Sequence, residues 1–191
     1  VDKTKFFNWY TEDTMQYLSS DEVTTLEVKA NEIRQSIVAM LSEAGSGHTA
    51  GPLGMADIFT LLYFGVLKHD PKKPDWEERD RLILSNGHIC PVLYATMAHA
   101  GYFDIDELMT LRKFGTRLQG HPHRESLPGL ETSSGPLGSG LSQAVGMALA
   151  ERIDNPYSSK FFYCLTGDGE LQEGQIWEAA MLAGKEKLHN L

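Results

Sequence analysis

The chain has 191 residues, which is long enough for one domain with its own hydrophobic core. Its net charge of −9 argues against a surface that binds nucleic acid or an acidic membrane. No apolar run approaches the roughly 20 residues of a membrane-spanning helix, and the first residues do not resemble a signal peptide. Cys90 and Cys164 lie in apolar stretches, so we expect buried, reduced thiols in a cytoplasmic protein.

A long helix is predicted near the start of the chain. Residues 1–18 are rich in aromatic side chains and are interpreted as an arm that packs on a neighbour. Ser19 can cap the helix, because Glu22 follows at the spacing of a capping box. Apolar residues then recur in steps of three and four until Ala44, and Gly45 is a suitable stop. This end of the helix places the next histidine, His48, in a loop.

The rest of the chain alternates between helical and strand-like patterns. Further helices are predicted over 55–67, 91–100, 104–114 and 142–153, with another after residue 174. Short buried strands are predicted over 82–84 and 160–165, and 115–140 is predicted to be a long loop with a function. This alternation predicts an α/β fold, a parallel sheet with helices on both faces. His88 would then lie just past the carboxyl end of a strand, where open parallel sheets bind ligands.

The turn Gly167-Asp168-Gly169 is the most informative stretch of the sequence. It lies between the second predicted strand and a helix, which is the geometry of a site for phosphate and metal. Glycine lets backbone N–H groups approach an anion closely. Asp168 would repel a phosphate, so a cation such as Mg²⁺ is expected between them. The alternative is an ordinary turn from strand to helix.

Histidine directly follows glycine in three further segments. These are Gly47-His48, Gly87-His88 and Gly120-His121, with His123 two residues after the last. Imidazoles suit proton transfer and hydrogen bonding to developing oxyanions, although a single histidine is more often structural. Three such segments beside one Gly-Asp-Gly turn favour a shared site.

Six motifs in a fixed order resemble those of transketolase. They are Ser46-Gly47-His48, Gly54-Met55-Ala56-Asp57, Arg79-Asp80-Arg81 with Leu84-Ser85-Asn86-Gly87-His88, Gly120-His121-Pro122, Ser134-Gly135-Pro136-Leu137-Gly138-Ser139-Gly140, and Gly167-Asp168-Gly169 with Glu173-Gly174. The resemblance runs from about Leu26 to the last residue. It implies that residues 1–191 form the diphosphate-side domain of a thiamine-diphosphate-binding fold, ending just before a second metal-binding loop.

The resemblance also implies which residues hold the cofactor. Asp168 would be a ligand of Mg²⁺, for which Ca²⁺ can substitute, and the remaining ligands would lie in the second loop. His88 would contact the diphosphate. The cofactor-binding residues implied in this way are His88, Gly135, Leu137, Gly167, Asp168 and Gly169, with Gly135 and Leu137 beside the cofactor rings.

Three residues are implied to take part in catalysis. His48 and His121 would bind the donor ketose and assist proton transfer. Glu173 would be a buried acid near a subunit interface, linked to cofactor activation; the equally weighted alternative is a carboxylate favoured by the start of a helix. One departure is that Thr49 follows His48 where the family commonly has proline. This change opens the way to modified ketoses as donors.

The implied activity is transfer of a two-carbon ketol unit from a ketose phosphate to an aldose phosphate in the pentose phosphate pathway. It requires a pyrimidine-binding domain or subunit, so a homodimer or heterotetramer is expected. Similar Gly-Asp-Gly turns occur in deoxyxylulose-phosphate synthase and in 2-oxoacid dehydrogenase components, which remain alternatives. A non-catalytic binding or scaffold role is another.

Overall fold

The computed structural model describes residues 18–191, so the predicted amino-terminal arm lies outside the described residues. The helices are α1 (Ser20–Ala44), α2 (Ala50–Gly54), α3 (Ala56–Leu61), α4 (Cys90–Ala100), α5 (Ser139–Asp154) and α6 (Gly174–Glu186). The strands are β1 (Arg81–Leu84) and β2 (Phe162–Leu165). Short 3₁₀ turns at Gly87–Ile89, Ile105–Thr110 and Gly169–Gln172 and a π turn at Leu62–Val66 connect them.

Both ends of α1 are as the sequence predicts. Ser19 and Glu22 form a capping box, in which the Glu22 N–H donates to Ser19 Oγ at 3.3 Å and the Ser19 N–H donates to Glu22 Oε2 at 2.8 Å. Gly45 has a left-handed backbone with φ of 62°, and its N–H bonds back to Leu41 O. The helix therefore ends where glycine permits the left-handed turn, and His48 lies in the following loop.

The two strands are parallel and pair from Arg81 with Phe162 to Leu84 with Leu165. Within residues 18–191 they form a two-stranded sheet. One face, with Leu84, packs into a core cluster with α1, α3 and α4, and Phe162 packs with α5 and α6 in a second cluster. The predicted α/β class, with helices on both faces of a parallel sheet, is confirmed. Parallel pairing also brings the loops after β1 and β2 to the same edge of the sheet.

The helix predicted over 55–67 is confirmed: α3 passes directly into the π turn Leu62–Val66, and Leu62 at the junction keeps a helical φ of −59° and ψ of −53°. The sequence did not predict α2, the short helix just before it. Met55 separates the two helices with ψ near 0° rather than a helical value. Pro52 lies in the first turn of α2, where backbone N–H groups make no hydrogen bond within the helix, so proline is tolerated there. Helical structure can therefore begin earlier than the apolar pattern indicates.

The helix predicted over 104–114 is shorter, a 3₁₀ turn over Ile105–Thr110. Asp104 caps this turn, because its Oδ1 accepts from the Asp106 N–H at 3.0 Å. Arg112 has a left-handed backbone with φ of 61°, and its N–H donates to Leu118 O at 2.9 Å. That bond folds the chain back on itself and leaves no room for a continuous helix.

Candidate active site

The loops after β1 and β2 meet at the carboxyl edge of the sheet. The Ser85 N–H donates to Leu165 O at 2.9 Å, which extends the strand pairing by one bond. Beyond it, Gly167 lies against the next residue of the first loop: a Cβ at Gly167 would be 3.6 Å from Asn86 Cβ. The Gly-Asp-Gly turn and the Asn86-Gly87-His88 segment are therefore neighbours, as the sequence predicts.

Three histidines from distant parts of the chain converge beside these loops. The His48 ring, in the loop after α1, lies 4.8 Å from the His88 ring, measured between centroids, at an angle of 53°. A Cβ at Gly87 would lie 3.2 Å from His121 Cδ2 and 2.5 Å from Ser134 Cβ. Only glycine therefore lets the segment before His88 approach the long loop that carries His121.

The pKa of the His88 imidazole lies below its usual value. Burial is the largest cause, because it penalises the charged form, and the neighbouring His48 and His121 add positive charge when protonated. Glu170 acts in the opposite direction. The neutral form of His88 is thus favoured, and neutral imidazole can either accept or donate a hydrogen bond.

Replacing one neighbour should raise the pKa of His88. In a His48→Ala variant we expect the pKa to move back toward its usual value, because one charge that opposes protonation is gone. Chemical shifts of the imidazole followed against pH by NMR measure it. In the unmodified protein, neutral His88 contributes stability that is present above about pH 6.5 and is lost as pH falls. A pKa that stays the same or falls in the variant would contradict this account.

Asp168 is exposed at the turn and precedes the 3₁₀ segment Gly169–Gln172. Residues 18–191 contain no group of three or more His, Cys, Asp or Glu side chains arranged to hold a metal ion. Asp168 could supply one carboxylate to a cation such as Mg²⁺, which takes about six oxygen ligands, so further ligands would be needed.

One buried polar atom beside the turn has no partner within the described residues. Asn86 is 6% exposed, and its Oδ1 accepts no hydrogen bond. Such an atom usually marks a missing water, ion or ligand group. Together with the exposed carboxylate of Asp168, this acceptor oxygen fits the cation side of a metal-bound anionic group, because it can bind a cation but not the oxygens of an anion.

The remaining predicted residues lie on loops around this edge. Leu137 is 38% exposed, and its carbonyl accepts from Gln175 Nε2 at 2.8 Å. Gly135 faces open space, because a Cβ there would meet nothing within 4 Å. Glu173 begins α6 without a side-chain cap bond and is exposed. Burial of Glu173 would therefore need a partner chain, and its predicted role stays a prediction.

Comparison with known proteins identifies the family. The profile of the transketolase, thiamine diphosphate binding domain family matches residues 26–191. The chain belongs to the transketolase family. The fold and the ordered motifs that predicted this membership are thereby confirmed, and thiamine diphosphate is the cofactor of the matching domain.

The chain is similar both to proteins named as transketolases and to proteins named as transketolase subunits. It is 44% identical over 172 residues to the 6-deoxy-6-sulfo-D-fructose transketolase subunit of Clostridium sp. (strain MSTE9), covering 90% of this chain and 62% of that protein. It is 41% identical over 171 residues to an apulose-4-phosphate transketolase subunit of Phocaeicola vulgatus, covering 89% of this chain and 59% of that one. Against the transketolase of Buchnera aphidicola (Acyrthosiphon pisum) it is 42% identical and spans 26% of that protein.

Solved transketolases share the fold. The transketolase from Leishmania mexicana superposes with a TM-score of 0.82 at 38% identity, over 92% of this chain and 27% of that one. The Campylobacter jejuni enzyme gives 0.80 at 40% identity, over 87% and 27%. The chain thus spans less than two thirds of these relatives' lengths. In the part of this transketolase chain that the structure describes, no helix is long and apolar enough to cross a membrane.

Two histidines outside the six motifs, His69 and His99, are packing residues. His69 Nε2 lies 2.7 Å from Tyr63 O and His69 Nδ1 lies 3.0 Å from Tyr102 Oη. His99 Nε2 lies 3.0 Å from Ser36 Oγ, between α4 and α1. Both side chains therefore have bonding partners outside the cluster of His48, His88 and His121.

Glu170 is a buried acid at this site that the sequence motifs did not predict. Glu170 is 2% exposed, and its Oε2 accepts from the Gly167 N–H at 3.0 Å. Glu170 follows Gly167 by three residues and accepts a hydrogen bond from the Gly167 N–H. This is the spacing of the glutamate in a capping box. That spacing is the local signal for Glu170 in the sequence, but Asp168 in the same turn is the more obvious acidic residue.

Proposed function

We propose that this chain is the diphosphate-binding part of a transketolase that transfers a two-carbon ketol unit from a ketose phosphate to an aldose phosphate. The observation that carries the proposal is the convergence of His48, His88 and His121 at the sheet edge that also carries the Asp168 turn. A binding site for the diphosphate alone has no need of three imidazoles. With His88 assigned to the diphosphate, His48 and His121 supply imidazoles for acid–base chemistry on a sugar.

The cofactor of the proposed reaction is thiamine diphosphate, held through Mg²⁺ or Ca²⁺. When bound, it supplies the carbon nucleophile and electron sink that a two-carbon transfer requires. Asp168 would bind the metal, and the backbone at Gly167 and Gly169 would approach the diphosphate. His88, half-buried at the end of β1, would donate a hydrogen bond to the same group. The unpartnered Oδ1 of Asn86 is an acceptor, so it supports a cation or a hydrogen-bond donor of the ligand at this position.

His48 and His121 are placed to act on the sugar. Both are exposed in the chain, whereas His88 between them is partly buried, so they can reach a substrate that enters above the cofactor. Each would bond to the carbonyl or hydroxyl groups of the donor and assist proton transfer. Gly135 and Leu137 would lie against the cofactor rings, where the exposed Leu137 side chain offers an apolar surface.

A pyrimidine-binding domain or subunit would complete the site, in a homodimer or a heterotetramer. Exposed apolar side chains near the cofactor loops support such a partner: Trp177 is 59% exposed, Met181 is 67% exposed and Leu171 is 43% exposed. Glu173 begins the helix that carries two of them, where a partner could bury it. The two free thiols support a reducing, cytoplasmic location.

A modified ketose is the second candidate for the donor. Two relatives, of which the chain spans 62% and 59%, are named for 6-deoxy-6-sulfo-D-fructose and for apulose 4-phosphate. Thr49 follows His48 in the exposed loop that would face the donor. Threonine offers a hydroxyl and a freer backbone where the family commonly has proline, which favours a different donor group. The reaction class is the same for either donor.

A panel of donors separates the two candidates. The complete protein with its partner, thiamine diphosphate and Mg²⁺ would be assayed with xylulose 5-phosphate, fructose 6-phosphate, 6-deoxy-6-sulfo-D-fructose and apulose 4-phosphate. We expect the preferred donor to exceed the others in kcat/KM by about tenfold or more, since one lost polar contact in a site costs that much. Preference for a phosphorylated pentose or hexose supports the pentose phosphate pathway. Turnover of none of the four would contradict the proposed function.

A further inference from the structure

We propose that Glu170 is a positioning residue that fixes the distance between the metal-binding turn and the loop against the cofactor rings. The inference rests on the proposed function, because it concerns the same cofactor site. Glu170 lies in the 3₁₀ turn directly after the Gly-Asp-Gly motif and is too deeply buried to meet a substrate. It acts instead through hydrogen bonds made inside this chain.

Three donors from three separate loops converge on its carboxyl group. Glu170 Oε2 accepts from the Gly167 N–H at 3.0 Å, within the metal-binding turn. Oε1 accepts from the Gly138 N–H at 2.6 Å, in the loop before α5. Oε1 also accepts from Ser85 Oγ, at the end of β1. The carboxyl group is therefore the common point of the three segments that would surround the cofactor.

Ser85 extends this network to the first turn of α5. Its Oγ accepts from the Gly140 N–H at 3.1 Å while its own proton goes to Glu170. A Cβ at Gly140 would overlap the Ser85 side chain, so glycine is required for the contact. The start of α5 and the end of β1 are thus held together by the same hydroxyl that Glu170 orients.

The chemistry of the group suits this task. An ionised carboxylate has acceptor capacity on both oxygens and can satisfy all three donors. An amide of the same shape has one oxygen, so its NH₂ group would face a donor on one side. Leaving a buried donor unsatisfied costs more than a typical hydrogen bond contributes. Glu170→Gln should therefore release one of the loops without changing the volume of the side chain.

The consequence is geometric. Gly167 directly precedes Asp168, the proposed metal ligand, and Gly138 directly follows Leu137, the proposed contact of the cofactor rings. By bonding to both glycines, Glu170 holds these two loops at a fixed distance. Small misplacements of binding groups cost large factors in affinity and rate. Glu170 touches neither the metal nor the substrate. It acts through the two loops.

The test compares three variants in the complete protein assembled with its partner. Glu170→Gln should weaken thiamine diphosphate binding in the presence of Mg²⁺ by about tenfold or more, and Ser85→Ala by a smaller factor. Glu151→Gln is the matched control, because Glu151 is a largely buried carboxylate that bonds Lys160 Nζ at 2.6 Å, far along α5. Calorimetry gives the affinities. Hydrogen exchange read at the Gly138 and Gly167 amides should speed up in Glu170→Gln and not in Glu151→Gln.

The outcomes separate this inference from the proposed function. If the unmodified protein binds no thiamine diphosphate, the proposed function fails. If it binds and Glu170→Gln binds equally well with both amides still protected, the positioning role is overturned. Should Glu170→Gln fail to fold, Ser85→Ala decides: weaker cofactor binding in a folded protein supports the role, and unchanged affinity shows that Glu170 serves only the fold.

Discussion

Asp168→Ala should abolish metal-dependent binding of thiamine diphosphate. Asp168 is the carboxylate of the Gly-Asp-Gly turn, and it is exposed at the edge where the two strand-end loops meet. Without it, a diphosphate of high negative charge would lie in the site with no cation bound to the protein. We expect the affinity to fall by about 100-fold or more, since even the outer partners of metal ligands are worth 10–100-fold.

Calorimetric titration of thiamine diphosphate, with Mg²⁺ and with a chelator, measures this loss. Asp154→Ala is the matched control, because Asp154 is also an exposed aspartate and lies at the end of α5. Asp168→Asn should be intermediate, because an amide oxygen can still bind a hard cation but carries no charge. Equal affinity in Asp168→Ala and in the unmodified protein would mean that the metal is held elsewhere.

The three histidines of the cluster should separate into two classes. His48→Ala and His121→Ala should lower kcat or raise the KM of the donor by about 100-fold, because each loses a hydrogen bond to charge that develops in the reaction. Their cofactor affinity should change little. His88→Ala should instead weaken cofactor binding, because His88 is the partly buried member of the cluster at the end of β1.

Steady-state kinetics and cofactor titration of each variant test this division. His189→Ala is the control, because His189 is an exposed histidine that follows α6 at the other end of the sheet, where Asn190 O accepts from the Phe162 N–H. If all three cluster variants keep the kinetics of the unmodified protein, the assignment of these histidines to substrate and cofactor is wrong.

The sheet edge was predictable from the sequence, because local patterns determine it. Both strands are short apolar runs with glycine soon after them, and parallel strands must end at the same edge. The capped helix α1 was equally clear, since its cap, apolar period and terminal glycine agree. These features place His48, His88 and Asp168 without knowledge of long-range contacts.

The features that sequence did not predict depend on contacts between distant residues. Arg112 reverses the chain because its N–H meets Leu118 O, and no local signal opposed a helix there. Glu170 is buried because Ser85 and Gly138 supply donors from two other loops. A charged residue in a polar turn is usually solvated, so its burial can be inferred only when its partners are known.

The most direct test of the account is a labelled transfer assay in the reconstituted system. The chain alone, the pyrimidine-binding partner alone and the two together would each be given thiamine diphosphate, Mg²⁺, an aldose phosphate and a ketose donor labelled in its first two carbons. We predict that both labelled carbons move together to the aldose, and only when both components are present. Transfer by the chain alone would contradict the shared site, and bound cofactor without any transfer in the complete assembly would indicate a non-catalytic role.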